Sequence, residues 1–427
     1  MAFSGRWRIQ WGVAHEYNAC RPLLTRRVVS RHRDLDVFRH FESLDSLVRD
    51  LAPDEPVYCL RPQVIRDQAR LFLDSFPGRV LYAVKSNPHE AVLAWLHEAG
   101  IRDYDTASPA EMALVSNNLS GAACYFMHPV KSRTGIARAY REFGIRHFVV
   151  DHPDELVKIQ DVLGKVDIVI VVRLSTKNED ATFDLSSKFG STPEMAARLL
   201  DAAASFGYAA GLCFHVGSQC TSPQAFSDAF REVAKALEAS AARIVCLDVG
   251  GGFPAYYEDT SPPPLESYMA AIREGAGLLQ LDDCELMCEP GRALVAEGMS
   301  VLTRVQLRKD RKIYLNDGIY GSFYTMVIGL RFPARLVRAG ADPGPHDTQF
   351  VAYGPTCDGL DELPQRLLLP RDVREGDWIE IGCMGAYTVS LRTDFNGFYP
   401  DTIVTVDKPF REPGWQPAAP AVRGASF

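Results

Sequence analysis

Leu212-Cys-Phe-His-Val-Gly-Ser-Gln219 is the stretch that decides how this chain reads. An apolar run of strand length delivers His215 at its end, and Gly217-Ser218 follows at once, where the backbone turns and can face an anion. An aromatic base beside an anion-binding turn suits a flat, phosphorylated ligand. The same pattern, a short apolar run and then a turn, recurs on either side.

Upstream, the pattern predicts strands at Val80–Val84, Arg102–Asp105, Ala123–Phe126, His147–Val150 and Asp167–Val172; downstream, at Ile244–Leu247 and Cys284–Cys288. With Leu212–His215 they make eight. Helical patterns separate them: His89–Glu98, Pro109–Ser116, Thr134–Phe143, Pro153–Leu163, Pro193–Phe206, Pro223–Ala239 and Leu265–Leu279. Pro109, Pro153 and Pro193 follow Ser or Thr or His, where a missing N–H costs nothing in the first turn, and Gly100, Gly144, Gly164 and Gly207 stand at C-cap positions. Strands alternating with helices imply right-handed parallel crossovers, and eight of them close an α/β barrel of the TIM type.

Such a barrel presents its chemistry at the C-terminal ends of its strands. The residues predicted there are Lys85, Asp105, His128, Asp151, Arg173, His215, the run Gly250-Gly251-Gly252, and Glu289. His128 and Asp151 stand just before helices and also read as loop or capping residues. After Gly291 the alternation stops. Short strands follow at Val301–Leu307, Lys312–Asn316, Gln349–Tyr353, Trp378–Ile381 and Thr402–Val406, which predicts an antiparallel β domain. The N-terminal segment, with a strand at Arg27–Ser30 and a helix at Leu44–Leu51, is expected to complete it. The expected division is 1–58 for that segment, 59–296 for the barrel, 297–410 for the β domain and 411–427 for a tail, with a loop at Ala339–His346.

Composition narrows the partners. A net charge of −8 over 427 residues disfavours nonspecific binding to nucleic acid or anionic membranes, and 47% hydrophobic with 23% charged residues is ordinary for a globular protein. Met1 to Arg33 is Arg-rich without an apolar run of signal-peptide length, and no stretch approaches the roughly 20 apolar residues of a membrane span, so a cytoplasmic protein is expected. Ten cysteines without a C-x-x-C pair, Cys59, Cys213 and Cys246 among them in apolar runs, read as free thiols.

At the predicted rim, Lys85 at the end of a buried strand either snorkels to solvent or is a desolvated amine able to condense with an aldehyde. Glu289 stands beside Pro290-Gly291-Arg292, where small backbone and a guanidinium can approach a phosphate while the carboxylate reaches a ring nitrogen. Ser218 and the glycine run add phosphate donors. Together these describe a pyridoxal 5'-phosphate site, with no metal.

The motifs YAVKSNP around Lys85, YDTAS around Asp105, SSKFG at Ser186–Gly190, FHVGSQC around His215, DVGGGFP from Asp248, CEPGR from Cys288, NDGIYGSF from Asn316, GPTCDGLD from Gly354 and GAYT from Gly385 resemble the ornithine/diaminopimelate/arginine decarboxylase family of barrel-type pyridoxal-phosphate enzymes. The resemblance implies that Lys85 carries the cofactor, that His215 stacks on its ring and that Glu289 pairs with the pyridine nitrogen. It implies that Ser218, Gly251, Gly252, Gly291, Arg292 and Tyr387 bind the phosphate, and that Asp105 and Arg173 lie near the lysine and the cofactor hydroxyl. It further implies a homodimer with shared sites, in which Cys357 reprotonates the α carbon and Asp358 contacts the substrate. The implied reaction is decarboxylation of ornithine or a similar basic amino acid to an amine, as in polyamine biosynthesis. Ornithine decarboxylases carry an acidic residue shortly after the NDGxYGSF-like stretch; here Tyr324–Leu330 has none, so a non-basic or conjugated substrate stands as the alternative. A catalytically inactive regulatory homologue is the reading from another class.

Overall fold

A computed structural model describes residues 38–176, 187–280, 283–341 and 344–411, with the backbone alone at 181–183. The expected strand at Arg27–Ser30, Ser186 of the SSKFG motif, part of the Ala339–His346 loop and the tail beyond Arg411 lie outside the described residues.

Eight parallel strands close a barrel: β1 (Arg79–Ala83), β2 (Asp103–Thr106), β3 (Ala123–Phe126), β4 (His147–Val150), β5 (Val169–Arg173), β6 (Ala209–Cys213), β7 (Ile244–Asp248) and β8 (Glu285–Cys288). Each pairs with its successor, and β8 returns to β1 with Met287 beside Arg79 and Cys288 beside Val80. Strand side chains alternate between faces. Leu81, Tyr125, Val149, Val171, Cys213, Cys246 and Met287 therefore fill the barrel interior, while Tyr82, Tyr104, Phe126, Phe148, Val172, Leu212, Leu247 and Cys288 pack outward under the helices. Burial of each such side chain contributes roughly 1.5–3 kcal/mol.

The helical ring follows the predicted pattern. Ser108, His152 and Thr192 cap helices Pro109–Asn118, Pro153–Leu163 and Pro193–Ser205 with side-chain acceptors, and each helix has Pro at its first turn. One helix was not anticipated. Pro62–Ser75 precedes β1 and turns Ile65, Ala69 and Phe72 inward, but its N-cap is Arg61, which makes no side-chain cap, so the usual start signal is missing. Pro62–Ser75 packs on the short helix Arg292–Val295, and Gly298 lies so close beneath it that a Cβ there would meet Ile65 Cγ1 at 2.3 Å.

The second layer is a nine-stranded sheet around the long strand Met299–Lys309, which pairs antiparallel with Val57–Leu60, Lys312–Leu315 and Trp378–Ile381. The N-terminal strands Arg39–Phe41 and Val57–Leu60 both lie beside Thr402–Val406, so the beginning and end of the described chain meet in this sheet. The expectation of an antiparallel sheet is corrected: these two pairings, and that of Lys312–Leu315 with Thr348–Tyr353, are parallel. Strands separated by the whole barrel are under no hairpin constraint, so either direction is open to them. Ala334–Val337 and Leu367–Leu369 were also missed. The first is interrupted by Arg335, which is drawn into the sheet by the buried Glu380 carboxylate at 2.6 Å, itself held from the other side by Arg61 at 2.6 Å.

Candidate active site

The alternation that fills the barrel also builds its mouth. Two residues beyond the interior positions Leu81, Asp103, Val171, Cys213, Cys246 and Met287 come Ala83, Asp105, Arg173, His215, Asp248 and Glu289. All except Asp248 line a cavity of about 360 Å³ at the C-terminal end of the strands, with Lys85, Met127, His128, Phe189, Ser218, Gly252, Gly291, Arg292, Ile328, Tyr387 and Leu391. Most of the sequence-predicted residues line this one hollow; Asp151, Gly251, Cys357 and Asp358 do not.

Lys85 lies just past β1, in the one-turn 3₁₀ helix Val84–Ser86 rather than on the strand. Its ammonium donates to Asp105 Oδ2 at 2.8 Å; the lysine side chain is 45% exposed to the cavity while Asp105 is 2% exposed, so the amine is reachable and its carboxylate partner is fixed. Desolvation works to lower the ammonium pKa, but Asp105, Glu289 and Tyr387 outweigh it and hold Lys85 above its ordinary value. The turn is clamped from the sheet domain. The Tyr387 N–H donates to Ser86 O at 2.7 Å, and Asn87 Nδ2 donates to Gly385 O at 2.9 Å. Gly385 passes so near the barrel that a Cβ there would stand 1.7 Å from Val295 O, which explains the glycine in GAYT.

The same hollow holds a cradle for an anion. Arg292 is 5% exposed; its Nη1 donates to Tyr257 Oη at 2.7 Å and its Nη2 to Ser218 Oγ at 3.2 Å. Its Nε is buried and has no hydrogen-bond partner among the described residues. Its guanidinium carbon also lies 5.1 Å from the ring centroid of Tyr387. Beside it Gly252 has φ +99°, and a Cβ there would meet Gly217 O at 2.4 Å. A buried guanidinium with an idle donor, next to a hydroxyl and bare backbone, fits a phosphate group.

His215 and Glu289 line the same hollow. The Gly217 N–H donates to His215 Nδ1 at 3.0 Å, and Thr176 Oγ1 donates to the His215 carbonyl at 2.7 Å, so the ring is oriented from its own loop. Burial, with Arg173 and Lys85 nearby, pushes the imidazole pKa well below its usual value, leaving a neutral flat ring. Gly251 is required here: a Cβ on it would stand 2.7 Å from Glu289 O and 3.0 Å from His215 Nε2. Burial first, then Asp248 and Asp105, raises the Glu289 pKa well above the carboxylate range. A carboxyl group that holds a proton, opposite a neutral imidazole and near an amine, suits a pyridine ring with phosphate and aldehyde at opposite ends.

His128 lines the cavity besides accepting the Val130 N–H at 3.1 Å, whereas Asp151 is a fastener, accepting the Gly190 N–H at 2.9 Å and holding the loop that carries Phe189. Two residues escaped the sequence reading. Asp248 had been seen only as the start of DVGGGFP. Glu111, which accepts the Ala107 N–H at 2.7 Å, shares a side opening with Lys85 and Tyr387. Its position three residues after the Ser108 cap reads as a helix-capping acid, which hides any other role.

Cys357 and Asp358 do not reach this cavity in their own chain. They line a separate groove of about 690 Å³ with Asp54, Tyr314, Asn316 and Asp361. Cys357 is the one exposed thiol among the nine described cysteines, all free, and its Sγ lies 3.4 Å from Asn396 Oδ1. Asp358 accepts from Tyr320 Oη, which lowers its pKa. No described helix is long and apolar enough to cross a membrane.

The family described as "Pyridoxal-dependent decarboxylase, pyridoxal binding domain" matches residues 63–296. Ornithine decarboxylase of Panagrellus redivivus is 33% identical over 355 residues, covering 77% of this chain and 80% of that one. Lysine/ornithine decarboxylase of Selenomonas ruminantium is 32% identical over 341 residues, covering 77% and 84%. The structure of lysine/ornithine decarboxylase from Vibrio vulnificus complexed with putrescine superposes with a TM-score of 0.74 at 31% identity, covering 85% of this chain and 96% of that one.

Proposed function

Since the chain belongs to the pyridoxal-dependent decarboxylase family, we propose that its barrel-mouth cavity removes the α-carboxylate of a basic amino acid such as ornithine or lysine, giving an amine. The cofactor is pyridoxal 5'-phosphate. Bound there, it supplies the sink for the electron pair left when carbon dioxide departs. The observation that carries the reading is the cavity's polarity. One hollow holds an amine paired with a carboxylate, Lys85 with Asp105, a guanidinium with an idle Nε beside Ser218, Arg292, and the Glu289 carboxyl.

The chain's own groups then take these roles. With the cofactor bound, Lys85 would hold it through its aldehyde, and Asp105 would keep the amine in place. His215 would pack on the ring. Glu289 would hold a proton at the ring nitrogen, while Arg292, Ser218, Gly251, Gly252, Gly291 and Tyr387 would hold the phosphate. Arg173 would serve the ring hydroxyl. Loss of carbon dioxide leaves the α carbon one proton short, and an acid must supply it. Cys357 is that acid and Asp358 a substrate contact, both reaching in from the partner of a cytoplasmic homodimer. The support for this is that Cys357 is exposed and that both residues line a groove other than the barrel-mouth cavity of their own subunit. The barrel, residues 59–296, binds the cofactor, and the β domain, 297–410 with the N-terminal segment, presents these two residues.

A second reading of the substrate is favoured by Ile328, which lines the cavity within the acid-free stretch Tyr324–Leu330. A distal group without charge would suit that wall, because an ammonium desolvated there needs a carboxylate. Carbon dioxide release measured across ornithine, lysine, arginine and uncharged amino acids separates the two: turnover confined to uncharged substrates overturns the first. For the reaction itself, Lys85→Ala is expected to abolish both the absorbance of bound cofactor and carbon dioxide release; persistence of both refutes the mechanism.

A further inference from the structure

Asp248 ends β7 and Glu289 follows β8, its neighbour in the barrel, where Asp248 lies beside Met287 in the register. Both point inward, each two residues beyond an interior position, Cys246 and Met287 respectively. Gly250 ties them together: its N–H donates to Asp248 Oδ1 at 2.7 Å, and its carbonyl accepts the Glu289 N–H at 2.7 Å. With φ +70° and Phe214 O only 2.1 Å from any Cβ, no other residue makes this clamp. The other carboxylate oxygen of Asp248, Oδ2, is buried and has no hydrogen-bond partner among the described residues. The Glu289 side chain lies within hydrogen-bonding reach of the Asp248 carboxyl. Two carboxyl groups hydrogen-bond to each other only when one of them carries a proton.

We infer that Asp248 is a positioning residue for Glu289: in the cofactor-free protein the two carboxyls share a single proton, and Asp248 strengthens the hold of Glu289 on the proton at the ring nitrogen. This rests on the reading of the cavity as a pyridoxal-phosphate site. The charge inventory supports it. Three acids face this floor, Asp105 on β2, Asp248 on β7 and Glu289 after β8, against two cations, Lys85 beyond β1 and Arg173 on β5. Burial keeps His215 neutral and, by raising their pKa values, the thiols Cys213, Cys246 and Cys288 as well. One uncompensated negative charge in such a place is costly, and one proton removes it. Burial accordingly raises Asp248 to about 7 and Glu289 well above its usual range, a pair that titrates together. When a ring nitrogen comes to rest against Glu289, the shared proton moves onto the nitrogen. Both carboxyls are then charged, the ring is cationic, and the total charge is unchanged.

Asp248→Asn keeps the Oδ1 acceptor but offers Glu289 an N–H in place of the shared proton, which lowers its basicity. In holoenzyme reconstituted with cofactor labelled with nitrogen-15 in the ring, the nitrogen is expected to stay protonated across the stable pH range in the wild type. In Asp248→Asn it should lose its proton at a pH lower by about one unit or more, with cofactor binding weakened by about tenfold. Infrared spectra of the cofactor-free wild type are expected to show a protonated carboxyl at neutral pH that vanishes in Asp248→Asn. Identical nitrogen titrations in the two proteins, or no protonated carboxyl in the wild type, overturn the inference. If Asp248→Asn does not fold, the wild-type infrared band alone decides. Failure of the wild type to bind pyridoxal phosphate at all instead refutes the reading on which the inference rests.

Discussion

Arg292→Met tests the phosphate cradle by opposite effects on two states. The guanidinium is 5% exposed, makes hydrogen bonds only to the hydroxyls of Tyr257 and Ser218, and leaves Nε without a partner among the described residues. A buried charge without a counter-ion costs several kcal/mol. The faces of Tyr257 and Tyr387, at 5.7 and 5.1 Å, offset part of that. Replacement by Met removes the penalty and leaves the buried Tyr257 hydroxyl without its donor, at a cost of about 1–3 kcal/mol. These nearly cancel. Unfolding entropy of about 2.1 cal/mol/K per residue over 427 residues means that a residual 2 kcal/mol moves the Tm of the cofactor-free protein by only about 2 °C. With the cofactor the balance is one-sided. Nε and one Nη donating to phosphate are worth roughly 1.5–3 kcal/mol each, so affinity should fall by on the order of a hundredfold or more. Thermal melts of the cofactor-free protein and a fluorescence titration with pyridoxal phosphate measure the two quantities. A variant that melts many degrees lower yet binds the cofactor as tightly as the wild type would refute the reasoning and make Arg292 a structural residue.

Gly251→Ala should weaken cofactor binding and cost about 1–3 kcal/mol of stability, because the new methyl meets Glu289 O at 2.7 Å and His215 Nε2 at 3.0 Å; unchanged binding in the same titration would show that His215 does not depend on this contact. Asp317 takes N–H groups from Gly318 and Ser322 but leaves Oδ2 without a partner among the described residues, and burial raises it to about 6. Because that lies above the unfolded value of about 3.9, its contribution is intact below pH ~3.9 and lost as pH rises through about 6. Asp317→Asn should therefore match the wild type near pH 4 and exceed it above pH 7 by up to about 3 kcal/mol; parallel stability curves against pH would contradict this. For the shared site, Lys85→Ala and Cys357→Ala proteins, each inactive, are expected on mixing to regain about a quarter of wild-type activity, since half the dimers then hold one intact site. No recovery on mixing would place both residues in one subunit's site.

The barrel was legible because most of its strands are buried on both faces and read as short apolar runs, β2 with Asp103 and Asp105 being the exception, and because helical patterns separate them. Lys85, Asp105, Arg173, His215 and Glu289 were found for the same reason: a polar group within or up to two residues past the C-terminal end of a barrel strand stands at the rim. The helix Pro62–Ser75 lacked a cap to announce it. The parallel pairings of Val57–Leu60 and Arg39–Phe41 with Thr402–Val406 depend on a closure across the whole barrel, which no local pattern encodes.

Asp248 marks the harder limit. A single Asp at the end of an apolar strand, followed by glycines, is indistinguishable in sequence from a residue that caps a turn, and its Oδ1 does accept the Gly250 N–H. Only the pairing of β7 with β8 brings the Asp248 side chain into reach of Glu289, so that a turn-capping acid becomes half of the proposed proton-sharing pair. The substrate's distal group is concealed in the same way. The wall containing Ile328 belongs to one chain, whereas Asp358, the carboxylate proposed to meet an ammonium, lies in a groove of its own. On the proposed dimer, a site divided between subunits would leave its specificity in neither stretch alone: with Asp358 in place a basic substrate would find its counter-charge, and without it the Ile328 wall would select an uncharged one.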